Sequence, residues 1–110
     1  MPTFITQGRF TRQALDGLVA KPEDRAIAVT KLGKAAGLKL RAYYLTFGEY
    51  DFLAIFEGPE AESMASMMIA ASSAGGVTDV KTTVAWTSAE AKQIYEGAGS
   101  LKKSYRPAGA

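Results

Sequence analysis

The sequence contains no cysteine, no histidine and a single tryptophan. The missing thiols exclude disulfide staples, thiolate catalysis and sulfur-ligated zinc or iron, and they leave the redox compartment unreadable. The missing imidazoles exclude Ser-His-Asp and Cys-His catalysis and His-ligated haem or zinc. They also remove the one side chain whose ordinary pKa suits a proton shuttle at neutral pH. No cofactor and no metal site is therefore expected, and any chemistry falls to tyrosine, carboxylate, lysine or arginine. Long apolar runs are absent as well, since no segment approaches the ~20 residues of a membrane-spanning helix. Met1 to Gln7 offer neither the basic start nor the apolar stretch of about 7 to 15 residues that a secretory signal needs. A cytoplasmic protein with no membrane partner is expected.

What is present fits one domain. The 110 residues, 47% hydrophobic and 22% charged, are enough for a single core and lie within the globular range. The net charge of +2 has to be located before it is interpreted. Residues 1–96 hold all eleven acidic residues and ten of the thirteen basic ones, so they carry a net charge of −1. The basic excess is Lys102, Lys103 and Arg106, in a stretch rich in Gly, Ala, Ser and Pro. Residues 1–96 are read as the folded domain and residues 97–110 as a flexible basic tail, too sparsely charged for a polyanion site.

Thr3 to Phe10 is β-branched and aromatic with polar residues interleaved, which predicts a strand. Between Thr11 and Lys21 a short helical turn is expected, weakened by Gly17. A stronger helix is expected from Pro22, with Glu23 and Asp24 at its positive end and Gly37 as its left-handed stop. Leu38–Thr46 and Tyr50–Glu57 read as an antiparallel hairpin, with Gly48 supplying a positive φ in the turn. Pro59 opens a second helix that runs to Gly75-Gly76, and Val77–Trp86 is a fourth strand. Thr87 and Glu90 have capping-box spacing before a last short helix that Gly97 ends.

The order βαββαβ, with a short helix appended, predicts an α+β, ferredoxin-like fold with an antiparallel sheet in the order 4-1-3-2. Lys39, Arg41, Asp79 and Lys81 then fall on the two edge strands, where charge discourages edge-to-edge aggregation. The third strand is apolar on both faces, with Phe52, Ala54 and Phe56 on one and Leu53 and Ile55 on the other. Two crossover helices cover one face only. The second cover is either the final helix or another subunit placed sheet to sheet, and the subunit is preferred because the final helix offers only Ala89, Ile94 and Tyr95.

The hairpin reads Tyr43-Tyr44-Leu45-Thr46-Phe47-Gly48-Glu49-Tyr50-Asp51-Phe52, followed by Glu57-Gly58-Pro59-Glu60. This resembles the GYD domain family, small bacterial and archaeal proteins named for a Gly-x-Tyr-Asp element, here Gly48, Tyr50 and Asp51. The resemblance spans roughly residues 2–96 in element order. It implies a dimeric α+β barrel, in which two ferredoxin-like sheets face each other, and hence a homodimer or higher homo-oligomer. Relatives by fold include cofactor-independent monooxygenases, small isomerases, haem proteins and amino-acid-sensing domains, so it implies shape more than reaction.

Gly48-Glu49-Tyr50-Asp51 is the most distinctive cluster. As chemistry, Glu49 or Asp51 would be the base and Tyr50 the acid. As structure, Gly48 makes the turn, Asp51 bonds local backbone and Tyr50 packs its ring, and this second reading is preferred. Tyr43 and Tyr44 must point to opposite faces, so one of them can wall a pocket. Trp86 ends the fourth strand, a place where aromatics wall cavities but more often form core or interface. Ile5, Gln7 and Arg9 share a face, as do Lys81 and Thr83. Arg9 and Lys81 could hold an anion or pair across a dimer, but solvated charge is the simpler use. Met64, Met67 and Met68 read as core filler. RNA-binding modules share the βαββαβ order, yet Glu49 and Asp51 beside the third strand repel phosphate, so no nucleic-acid partner is expected. The working expectation is a small-molecule-binding homodimer, its ligand small and partly apolar. Tyr43, Tyr50 and Trp86 would form walls, with Arg9, Glu49 and Asp51 as polar contacts. The rival is a purely structural or interaction protein, and a cofactor-independent enzyme is the more remote alternative.

Overall fold

Alternation of large and polar residues in Thr3–Phe10 makes β1 a strand with two different faces. Phe4, Thr6 and Gly8 are buried, while Thr3, Ile5, Gln7 and Arg9 lie on the other side. The remaining elements of the computed structural model, which covers residues 1–110, are α1 (Arg12–Ala20), α2 (Arg25–Ala35), β2 (Lys39–Leu45) and β3 (Phe52–Glu57). They are followed by α3 (Ala61–Ser73), β4 (Val77–Ala85) and α4 (Ser88–Lys102). The strands form one antiparallel sheet in the order β2-β3-β1-β4, the expected 4-1-3-2 read from its other edge.

The two apolar faces of β3 are resolved by packing. Phe52, Ala54 and Phe56 are buried with Phe4, Leu38, Met64 and Met67, so this face lies under α2 and α3. Room for the rings comes from missing Cβ atoms. A Cβ on Gly8 would sit 2.6 Å from the Phe52 ring, and one on Gly33 would sit 3.1 Å from that of Phe56. Thr6 is the one buried polar side chain, and its hydroxyl shares a 2.6 Å hydrogen bond with that of Thr82 on the neighbouring strand. Leu53 and Ile55 share the other face with Ile5, Gln7 and Lys81, and no helix covers that side.

Several boundaries differ from the sequence reading. The segment after β1 is a full helix, because the Thr11 hydroxyl caps it by accepting from the Ala14 N–H at 3.2 Å. Exposed Gly17 is tolerated within it. The second helix starts at Arg25 rather than Pro22, since the Asp24 carboxylate accepts from the Ala26 N–H at 3.0 Å and so serves as the cap. Likewise α3 starts two residues after Pro59, behind Glu60. Gly37 and Gly75 do take the left-handed conformation, but Gly48 does not. The β2–β3 link is longer than a tight turn, spanning Thr46–Asp51, and needs no left-handed residue.

The largest difference is at the end of the chain. The capping box forms as its spacing predicts, with Thr87 and Glu90 exchanging hydrogen bonds of 3.1 and 2.8 Å. The helix then runs past Gly97 and Gly99 to Lys102, so the 96/97 boundary falls inside α4. Each interior glycine costs about 1 kcal/mol relative to alanine, which weakens a helix without dictating its end. No residue of α4 is buried. The molecule measures 60 × 31 × 22 Å with a radius of gyration of 17.7 Å, against about 13 Å for a compact chain of this length. Its accessible surface is 7934 Å², where a monomer of this mass typically exposes about 5,900 Å².

Truncation of the fully buried Phe56 to alanine is expected to lower stability by about 3–5 kcal/mol. Gly8→Ala is expected to cost about 1–3 kcal/mol through the clash with Phe52. Urea denaturation checks both, and a Gly8→Ala protein as stable as the parent would contradict the packing of that ring.

Candidate functional site

The geometry of the site begins with the link between β2 and β3, which folds back on the sheet rather than into solvent. The Asp51 N–H donates to the Gly8 carbonyl at 2.8 Å, and the Asp51 carboxylate accepts from the Phe10 N–H at 2.9 Å. One residue thus fastens the loop to the end of β1 from both its backbone and its side chain. Within the loop, Thr46 donates its N–H to the Asp51 carbonyl at 2.9 Å and its hydroxyl to the Tyr50 carbonyl at 2.6 Å. Arg9 holds the loop from the sheet side. Its Nε donates to the Glu49 carbonyl at 2.8 Å, its guanidinium lies 5.7 Å from the centre of the Tyr50 ring, and Nη1 is 3.8 Å from the Asp79 carboxylate. Asp79 is presented by an irregularity in β4, where it takes φ 52° beside a register shift in the β1–β4 pairing.

Four of the six expected site residues, Arg9, Glu49, Tyr50 and Asp51, therefore come together. Two of them, Glu49 and Tyr50, also line a depression of about 370 Å³ on the uncovered face, walled by Gln7, Lys81 and the loop Thr46–Tyr50. These walls are mostly polar, in contrast to the partly apolar site expected. Glu49 and Lys81 supply charges of both signs, and the Asp51 carboxylate is engaged by backbone.

Tyr43 and Trp86 do not join them. Tyr43 lies on the helix side of the sheet, its ring stacked on Phe52 with centroids 6.0 Å apart and planes 8° from parallel. It walls a different cleft of about 370 Å³ with Phe10, Leu18, Pro22, Arg25 and Leu45. Burial raises the Tyr43 phenol above the ordinary tyrosine range, and the Arg25 guanidinium beside it pulls in the opposite direction. Trp86 follows Ala85, which pairs with Thr3, whereas the loop cluster sits beyond Gly8 at the opposite end of β1. Five residues of strand, about 17 Å, separate those ends. Near the Trp86 end, Arg41 contacts Glu57 at 2.7 Å, and that hydrogen bond holds the Glu57 carboxyl below its ordinary range.

Arg25 was not among the expected site residues. Its signal was local, because it is the first residue of a helix capped by Asp24, and placing that start at Pro22 put Arg25 inside the helix instead of at its mouth.

The loop that Asp51 and Arg9 anchor contains the Gly48, Tyr50 and Asp51 element, and the model of the GYD domain family matches residues 4–95. The chain belongs to the GYD domain family. The match stops inside α4, so the outer part of that helix lies beyond it. This GYD domain is 32% identical over 77 residues to a Thermus thermophilus protein named glutamine synthetase and cystathionine beta-lyase binding protein. That alignment covers 70% of this chain and 81% of the relative. Among solved structures, FFRP-DM1 is similar with 16% identity and a TM-score of 0.48, over 78% of this chain and 100% of that one. A hypothetical protein from Pyrococcus horikoshii has 16% identity and a TM-score of 0.47, over 79% and 92%. No helix of the GYD domain is long and apolar enough to cross a membrane.

The anchoring role of Asp51 makes a prediction about stability. Asp51→Ala leaves the Phe10 N–H without its partner and is expected to cost about 1–3 kcal/mol, while Asp51→Asn keeps an acceptor and should cost less. Urea midpoints for the two variants check this ranking. Equal stability of both variants and the parent would remove Asp51 from the anchor.

Proposed function

We propose that this GYD domain is a protein-binding module that works as a homodimer in the cytoplasm, with soluble metabolic enzymes such as glutamine synthetase as its partners. The observation that carries the reading is the sheet face opposite the helices. Its two central strands place Ile5, Leu53 and Ile55 there, only partly buried, and Tyr44 on β2 is 58% exposed. An apolar sheet face without a cover favours a second sheet placed against it. The enzyme-binding half of the reading is supported by the name of the Thermus thermophilus relative.

Two measurements test it. Sedimentation at micromolar concentration is expected to give a dimer for the parent and a monomer for Ile55→Lys, which puts an ammonium at the centre of the proposed interface. A parent that sediments as a monomer overturns the dimer. Biolayer interferometry against purified glutamine synthetase is expected to show saturable binding at micromolar affinity or tighter, and no binding to that enzyme overturns this choice of partner.

A second reading rests on the depression beside the loop Thr46–Tyr50. It opens on the same face, so a facing sheet would roof it and exclude water around Gln7, Glu49 and Lys81. Such a chamber suits a small polar metabolite bearing both a donor and an anionic group. Thermal-shift screening of metabolites is expected to find one that raises the melting temperature of the parent and loses its effect on Glu49→Gln. A ligand whose effect survives that substitution binds elsewhere.

A further inference from the structure

Helix α4 presents a different problem from the sheet. Ala91, Ile94, Ala98 and Leu101 recur at intervals of three and four, so they form one stripe along it, with Tyr95 at the margin. Lys92, Gln93, Glu96 and Ser100 lie on the opposite side. The apolar side chains face solvent, since Ile94 is 46%, Tyr95 74% and Leu101 72% exposed. Fifteen residues with two internal glycines and no buried group make a helix that is marginal on its own, because helices of this length rely on packing of their apolar face. The stripe therefore calls for a partner surface.

The chain's own body does not supply it. None of the residues of α4 is buried, and the molecule is elongated, 60 Å along its longest axis. Area then selects the occupant. The chain exposes 7934 Å², about 2,000 Å² more than a compact monomer of its mass. The sheet face, four strands about 4.8 Å apart and six to nine residues long, has a footprint of roughly 500 Å². That is under the ~800 Å² per partner of a standard interface. The flank of a 15-residue helix, about 22 Å by 10 Å, has a footprint of roughly 200 Å², and an exchange of arms adds it twice to each protomer, once given and once received. Sheet and helix together reach the size of a stable dimer interface, whereas the sheet alone does not.

We propose that α4 is an arm that lays its Ala91, Ile94, Ala98 and Leu101 stripe on a second copy of this chain, and that the dimer depends on this exchange of arms. The proposal rests on the homodimer reading above. In a twofold pair each protomer both gives and receives an arm, so one stripe contributes its area twice. It also gives α4 a role that its sequence alone does not explain: glycines at positions 97 and 99 are tolerated because the helix is held by its partner.

Because the chain has no cysteine, a single nitroxide can be placed at Ser100→Cys, on the side away from the stripe. The label is expected to be markedly less mobile in the parent background, where sedimentation gives a dimer, than in the Ile55→Lys background, where it gives a monomer. Ile94→Glu combined with Leu101→Glu is expected to raise the dimer dissociation constant at least tenfold. Adding Gly97→Ala and Gly99→Ala to that pair restores intrinsic helix propensity, and circular dichroism then confirms a formed helix with the dimer still weakened. A parent that dimerises with equal label mobility in both backgrounds, or a charged-stripe variant that dimerises like the parent, overturns the arm and leaves the sheet-to-sheet dimer standing. A parent that is monomeric throughout removes both.

Discussion

Phe4 on β1 and Phe56 on β3 stand opposite each other and are essentially inaccessible, and the rest of the sheet takes its orientation from them. Side chains alternate along a strand, so a slip of one residue in this pairing would turn Leu53 and Ile55 toward the helices and send the phenylalanines outward. The slip is blocked by shape. Gly8 and Gly33 leave hollows that the rings of Phe52 and Phe56 fill, and Leu38, Met64 and Met67 close around them. The outward orientation of Ile5, Leu53 and Ile55, and with it every statement about the uncovered face, follows from where two aromatic rings fit.

The order and type of the strands were legible because each has the alternation and the flanking turn residues of its class. Edge and centre were legible because Lys39 and Arg41 put two charges on one edge strand and Asp79 and Lys81 two on the other, while the central strands carry one each, near their ends. The choice between the two faces of β3 was not readable from hydrophobicity, since both sets of residues are apolar. A usable signal was nevertheless present in Gly8, whose lack of a side chain opposite Phe52 marks the side with the bulkier neighbours. Helix starts were misplaced by two or three residues wherever proline was read as the first helical position. At α2 the bonded Asp24 cap sets the start more firmly than a favourable φ at Pro22, whereas Glu60 ahead of α3 makes no side-chain cap bond. Gly97 was misread as a stop for the opposite reason, because glycine ends a helix only where the backbone turns left-handed, and here it does not.

The candidate site divided along the same physical line. Arg9, Glu49, Tyr50 and Asp51 were linked by proximity in sequence or by strand register, and they assemble. Tyr43 and Trp86 were grouped with them as aromatics near strand ends, a criterion that specifies neither face nor end of the sheet. Period-two alternation alone separates Tyr43 from Tyr44, but only the covered face decides which of them meets the helices. The two clefts on opposite sides of the sheet are consequently different environments: one is polar and walled by a loop, the other has Phe10, Leu18, Tyr43 and Leu45 on its walls beside the charged Glu23, Asp24 and Arg25.

Trp86 gains a separate significance from its isolation. It is the single tryptophan, 54% exposed, and it occupies the elbow where β4 hands the chain to α4. Indole emission from this protein therefore originates at one point, and that point is the joint between the body and the projecting helix. The tyrosines Tyr43, Tyr44 and Tyr50 belong to the sheet and its loop, while Tyr95 and Tyr105 belong to the chain beyond the elbow. Excitation at the red edge of the indole band thus reads the joint alone, and the colour of its emission reports how wet that joint is.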